Sequence, residues 1–291
     1  MGEGNYTEAD IKEAARAFTG YRVRGRFAYY RNTRQFDGEP KTVFGQTGNW
    51  AGDDIIDITF QQPAARSFLV RELIKFYVTD VRPHEAFVEE LGKLWAQNNF
   101  ELRYLIDTLF QSRYFFHPAH RGNCVKSPIH FYMGLCQDLQ LDIIPFEAQL
   151  LRSMRAMGQS YYNPPNVRGW LYGLNWINST TISARRQVVD DVFTPINTNR
   201  LNGNERRALE QAAAVNQDNF VVTDVRLQQV LGTQAEDLAQ HFVTYFITAP
   251  LRENYFGILK ELLGDTHASN STTGVRDTMI ALFQSPAYNL C

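Results

Sequence analysis

The residues best suited to chemistry lie between positions 158 and 186. Gly158 and Gly169 permit backbone geometries that other residues resist, and Pro164-Pro165 stiffens the chain between them. Trp170 and Trp176 offer flat apolar faces, while Gln159, Asn166, Asn178 and Arg185 offer hydrogen bonds. That mixture suits a sugar or peptide ligand, whose rings stack and whose hydroxyls or amides are read by side chains. The same residues suit a structural loop, with Trp side chains plugging a core and amides satisfying the backbone. A second group lies upstream. Six arginines fall between residues 16 and 36 with no acid among them: Arg16, Arg22, Arg24, Arg26, Arg31 and Arg34. Phe18, Tyr21, Phe27, Tyr29, Tyr30 and Phe36 interleave with them. Guanidinium groups grip sulfate, phosphate or carboxylate in bidentate fashion, so Arg22, Arg24, Arg26, Arg31 and Arg34 are anion-binding candidates. Pairing with acids such as Asp53, Asp54 and Asp57, or simple solvation, is the plainer account.

His117-x2-His120-x3-Cys124 has ligand types that could supply three zinc contacts, but it lacks a fourth ligand and spans a helix-to-loop transition. No metal site is assigned, and no cofactor is expected. The chain contains no Gly-x-Ser-x-Gly elbow, P-loop, dinucleotide fingerprint or His-Glu-x-x-His. Carboxylates number 31, and acid–base catalysis needs only two brought together in space, which a sequence cannot display. Whether the protein is an enzyme stays open.

These residues must be positioned by helices. The 291 residues suffice for one large domain or two smaller ones, and 44% apolar with 21% charged residues is a globular composition. A net charge of −2 gives no global case for nucleic acid, and none is expected as a partner. No apolar run is long enough to span a bilayer. Met1-Gly2-Glu3-Gly4-Asn5 lacks the basic start and apolar stretch of a signal peptide, so read literally the chain stays in the cytoplasm. Cys124, Cys136 and Cys291 make no disulfide framework, and a Cys124–Cys136 pair has no support beyond its arithmetic. Asn5, Asn178 and Asn270 each open an Asn-x-Thr triplet that matters only in a eukaryotic secretory host.

Thr7 caps the first helix, with Asp10 at the capping-box position, and Gly20 stops it. Arg26–Tyr30 and Lys41–Phe44 read as two short strands with Asp37-Gly38 as the turn signal between them. Apolar periodicity then predicts helices near 53–60, 63–79, 84–98, 101–112, 127–141 and 145–157, with Pro63 and Pro145 in first turns. Further helices are predicted near 181–193, 202–216, 234–248, 251–263 and 274–285. One echo stands out. Leu69–Thr79 reads Leu-x3-Leu-x2-Phe-Tyr-Val-Thr and Leu238–Thr248 reads Leu-x3-Phe-x2-Tyr-Phe-Ile-Thr. Leu109-Phe110-Gln111-Ser112 recurs as Leu282-Phe283-Gln284-Ser285, each followed by an aromatic three residues later. A duplicated helical unit would explain this.

Several segments together resemble the bacterial family called domain of unknown function 1800. They are Tyr6-Thr7-Glu8-Ala9-Asp10, Phe36-Asp37-Gly38, Pro63-Ala64-Ala65-Arg66 through Leu73, and Lys126-Ser127-Pro128. Most specific is Gly158-Gln159 through Pro164-Pro165-Asn166-Val167-Arg168-Gly169-Trp170 to Trp176-Ile177-Asn178 and Arg185. The resemblance implies an exported bacterial protein, periplasmic or extracellular, often encoded beside a sulfatase-like protein, with no activity to carry over. It is poorest across 190–233. Its members usually have a further helical region before the Tyr-Thr-Glu-Ala-Asp segment, so this chain is expected to match the C-terminal majority of the family domain.

The fold expected is mainly α, a compact multi-helix assembly with a small β-hairpin insertion near 25–45. A main domain over 1–195, an uncertain polar segment over 196–233 and a C-terminal unit over 234–291 are expected, with two helical lobes as the alternative. Two functions remain open: a non-catalytic binding or assembly component acting with a sulfatase-like partner or a glycan, and an enzyme acting on anionic or sulfated polysaccharide.

Overall fold

The computed structural model describes residues 1–26, 28–231, 238–249, 253–269 and 272–291. Phe27 of the first expected strand, Asn270 and the opening residues 234–237 of one expected helix lie outside them. Among the described residues the protein is mainly helical, with thirteen α-helices and two small antiparallel sheets. It divides into two compact units, 1–117 and 118–291. The expected limits at 195 and 233 fall inside the second.

In the first unit, α1 spans Glu8–Ala17. Its capping box forms as expected: Asp10 N–H donates to Thr7 Oγ1 at 3.1 Å and Thr7 N–H donates to Asp10 Oδ2 at 2.8 Å. The β region contains two hairpins rather than one. β1 (Tyr21–Arg24) pairs with β2 (Ala28–Arg31), and β3 (Lys41–Val43) pairs with β4 (Gln46–Gly48). Each expected strand therefore exists but pairs with an immediate neighbour, because a short closure costs less chain entropy than the long connection through Asp37-Gly38. The β3–β4 turn uses Phe44 (φ +48°) and Gly45 (φ +76°), the left-handed pair of a two-residue hairpin turn, in which Phe replaces the usual Asn or Asp. Asp37 instead accepts the Arg16 guanidinium at 2.7 Å.

Four helices follow: α2 (Gly52–Gln61), α3 (Pro63–Tyr77), α4 (Glu85–Gln97) and α5 (Leu102–Gln111). The apolar stripes of α3, α4 and α5 close on a core of Val70, Ile74, Val88, Leu91, Trp95, Leu105 and Leu109, while Ile55 of α2 packs with Ala17 and Val43.

The second unit comprises α6 (Pro128–Asp138), α7 (Glu147–Ala156), α8 (Ser179–Val192), α9 (Gly203–Ala213), α10 (Asp224–Leu231), α11 (Leu238–Phe246), α12 (Glu253–Ser269) and α13 (Thr272–Phe283). Pro145 lies just outside α7, whose N-cap is Phe146. The polar stretch 196–232 gives α9 and the unanticipated α10. It also sends Val222 and Leu227 into the core beside Phe131, Leu135, Val189, Leu282 and Phe283, and it buries Phe220. The echo between the halves has a local counterpart. Ser112 Oγ accepts the Phe115 N–H at 3.1 Å just after α5, and Ser285 Oγ accepts the Tyr288 N–H at 3.2 Å just after α13.

Gly20 sits at φ +77°, and a Cβ there would meet Asn32 O at 2.7 Å and Phe36 N at 2.9 Å, both backbone atoms. Gly20→Ala is expected to cost about 2 kcal/mol or more of unfolding free energy by denaturant titration. A change under about 0.5 kcal/mol would show that the hairpin base is not packed this way.

Candidate functional site

A collection of chemically capable groups in the second unit surrounds Arg185. Three segments supply it. Ser127 caps α6 through the His130 N–H and Pro128 takes its first position, so the chain enters the helix with Lys126 just ahead of it. Asn178 caps α8, placing Arg185 on the second turn. The segment after α13 returns beside 124–126 through an antiparallel bridge, Val125 with Leu290, in which Lys126 N–H donates to Asn289 O at 2.8 Å.

Arg185 is 1% exposed. It donates to Asn289 Oδ1 at 3.1 Å and to the Lys126 carbonyl at 2.8 Å, and its guanidinium carbon stands 5.0 Å from the Phe131 ring centre. Its Nε has no hydrogen-bond partner. Lys126, also buried, places Nζ 3.7 Å from the Tyr288 ring centre. The Tyr288 hydroxyl donates to Asp138 Oδ2 at 2.7 Å. Neither cation forms a salt bridge among the described residues. Dipoles and ring faces compensate the charges instead, which is the arrangement most penalised by loss of solvent. Burial accordingly pushes Arg185 down to about 10, so it stays a cation at neutral pH. Burial also holds Lys126 below 10.5, opposed by Asp138 and Cys291. Tyr288 is raised above its ordinary range by burial first and by Asp138 second. His130 is held below 6.5 by desolvation first and by Lys126 second.

The residues expected to form a ligand-binding loop are dispersed among structural tasks. Trp176 is buried, and its carbonyl accepts the Thr181 hydroxyl at 2.9 Å. Trp170 is half-buried. Gln159 Oε1 accepts the Ile129 N–H at 3.1 Å, tying the loop to α6. Asn178 serves as the α8 cap, and Asn166 accepts the Arg168 N–H at 2.9 Å. The outward side chains are others: Tyr162 is 86% exposed, Val167 105% and Leu174 79%, with Tyr161 and Leu171 more than half exposed. A sequence signal existed, because apolar residues in a Pro- and Gly-punctuated loop have no periodic face to bury.

The arginine cluster separates by role. Arg16 pairs with Asp37 and Glu13. Arg22 donates to Gln35 Oε1 at 2.9 Å, and Arg31 lies 4.4 Å from the Phe36 ring centre. Arg22, Arg24, Arg26, Arg31 and Arg34 are exposed and without a carboxylate partner among the described residues, so Asp53, Asp54 and Asp57 are not the counter-charges. Strand register puts Arg22 opposite Tyr30 and Tyr21 opposite Arg31.

Among the described residues, the second unit contains at least two concavities. A cleft of about 350 Å³ is lined by Asp138, Arg226, His241, Phe242 and Tyr245 among others. A second, of about 460 Å³, is lined by Tyr132, Phe146, Asp191, Asn197 and Arg200 among others. The first combines a carboxylate with a histidine, and its Asp138 accepts from the tyrosine whose ring faces Lys126. Among the described residues, no three His, Cys, Asp or Glu side chains are placed to hold a metal ion, His117, His120 and Cys124 included.

These features define a mainly helical protein with a buried polar node, an exposed arginine hairpin and an apolar loop rim. The chain belongs to the family described as "Protein of unknown function (DUF1800)", which matches residues 1–290. The match is essentially to the whole chain, across 190–233 as well, and so corrects the expectation of a match to the C-terminal majority of the family domain alone. No curated protein and no solved structure matches the chain.

Arg185→Ala strips partners from Asn289 and the Lys126 carbonyl and leaves a void. It is expected to cost about 3 kcal/mol, and Arg185→Met about half of that, because Met fills space without a charge to desolvate. Equal losses would contradict this assignment. A pH series tests Lys126. Its folded value is depressed, so the unfolded chain binds more protons between that value and 10.5, and unfolding free energy rises with pH there. Wild-type stability relative to Lys126→Met should therefore increase as pH approaches 10.5. A flat or falling difference would show the ammonium to be solvated.

Proposed function

We propose that the protein is a non-catalytic binding or assembly component, exported by a bacterium, which meets its partner through the apolar rim of the 158–178 loop. The observation that carries this reading is the exposure of Tyr161, Tyr162, Val167, Leu171 and Leu174 on a loop whose base is fixed by buried Met157, Trp176 and Thr181. Pre-ordered apolar side chains lose little entropy on contact, and an exposed apolar surface of this kind favours association. The partner favoured is a protein rather than a glycan. With Trp176 in the core and Trp170 half-buried, stacking faces are left to tyrosines such as Tyr161 and Tyr162, whereas Val167, Leu171 and Leu174 suit a protein face. A sulfatase-like protein is the partner that the family resemblance implies. A photo-crosslinking residue placed at 162, 167 or 174 in the native host should give one discrete adduct, and the same residue at exposed position 204 should not. Identical patterns at all four positions would remove the proposal.

A second reading, an enzyme acting on anionic polysaccharide, draws on the cleft with Asp138 and His241 and on the unpaired charge of Arg22, Arg24, Arg26, Arg31 and Arg34. Turnover of a sulfated polysaccharide that Asp138→Asn abolishes would support it over the first. A lack of product across anionic glycans, with the crosslink present, would leave the binding role.

A further inference from the structure

Cys124 and Cys291 occupy directly opposed positions on the bridge that brings the last segment back to α6. Cys124 N–H donates to Cys291 O at 3.2 Å, and Cys291 N–H donates to Cys124 O at 2.9 Å. Reciprocal bonding of this kind marks a hydrogen-bonded antiparallel pair, whose Cα atoms are about 5.5 Å apart and whose side chains share one face. That separation falls within the roughly 4.4–6.8 Å over which a disulfide closes without rebuilding the backbone. Both residues are partly exposed, and no disulfide joins any of the three cysteines. Cys291 Sγ also lies 3.9 Å from His130 Nδ1.

From this geometry we infer that Cys124 and Cys291 are a disulfide-forming pair, with His130 as the group that takes the Cys291 proton. The chemistry is thiol–disulfide exchange with an external disulfide, either a small-molecule one such as oxidised glutathione or a protein oxidoreductase. The Cys291 proton passes to the His130 imidazole, and the thiolate attacks one sulfur of the oxidant. A mixed disulfide forms and the other half leaves as a thiolate, which recovers a proton. Cys124 then loses its proton to solvent and attacks the Cys291 sulfur. The internal bond forms, the second half of the oxidant leaves as a thiol, and two protein thiols have been oxidised while one external disulfide has been reduced.

Cys136 takes no part. It is buried on α6, and burial pushes its thiol up to about 11, which disfavours the thiolate. The pairing that sequence arithmetic offered, Cys124 with Cys136, is thereby replaced by one that the fold presents. The bond would lock the segment that delivers Asn289 to Arg185 and Tyr288 to Asp138. It would close a span of 167 residues, where a crosslink removes much freedom from the unfolded chain.

The test exposes the folded protein to oxidised glutathione and measures intact mass and thiol content after denaturation. The result expected is a loss of about 2 Da, a fall from three titratable thiols to one, and a peptide map joining the segments that contain Cys124 and Cys291. Cys136→Ser should react as wild type does. Cys124→Ser should stop at a glutathione adduct on Cys291. His130→Asn should slow the reaction near neutral pH and match wild type at alkaline pH, where the thiolate forms without help, a dependence that a merely structural histidine would not show. Retention of all three thiols, a link through Cys136, or a Cys124→Ser adduct placed elsewhere would overturn the inference.

Discussion

The second unit is organised around a charge that cannot leave. Arg185 is buried with no carboxylate partner among the described residues, and its two terminal nitrogens donate to Asn289, 104 residues away in sequence, and to the Lys126 carbonyl, 59 residues away. Directional bonds from one guanidinium thus join α8, the entry to α6 and the segment after α13. Apolar contact is non-directional and would tolerate sliding of helix on helix. A fixed planar fork with neutral acceptors at set distances does not. Because Asn289 and Tyr288 sit on adjacent positions, the same return of the chain that satisfies Arg185 also covers Lys126 with an aromatic face and supplies Asp138 with a donor.

The first unit handles one cation by dipoles and another by carboxylates. Lys41 is fully buried, yet its ammonium donates to the carbonyls of Asp37 and Glu39, and Arg16 is held by Asp37 and Glu13. Those groups build the hairpin base. Beyond it, Arg22, Arg24 and Arg26 project on strands and a turn with little buried surface. A two-stranded ribbon exposed on both faces gains little from packing, so its shape depends on the anchor that Tyr21 provides through the Gly52 N–H.

Helices were the legible part. Thr7 and Pro63 announce starts, and apolar stripes such as Leu105 with Leu109 mark the buried faces. The strands were visible as β-formers, but their partners were not, because Phe44 occupies a left-handed turn position that no composition rule assigns to Phe. α10 was hidden by its length and its polar flank: eight residues are too few to make a periodic stripe, yet Leu227, like Val222 just before the helix, reaches the core. The loop was legible as unusual, but the direction of its side chains was not. Trp176 and Asn178 face structural duties while Val167 and Leu174 face solvent, a distinction set by tertiary packing. Arg185 was legible as a candidate, but its node was not, because Lys126, Arg185 and Asn289 are separated by scores of residues and none of them forms a motif alone.

Native-state hydrogen exchange tests this dependence most directly. If Arg185 ties the three segments together, the amides of Lys126, Cys291 and the middle of α8 open with one common free energy, while amides at the loop rim near Tyr162 and Val167 exchange far faster. Free exchange at Lys126 and Cys291 alongside a protected α8 would contradict the account, since the C-terminal segment would then be an ornament on the helical body rather than one of its fastenings.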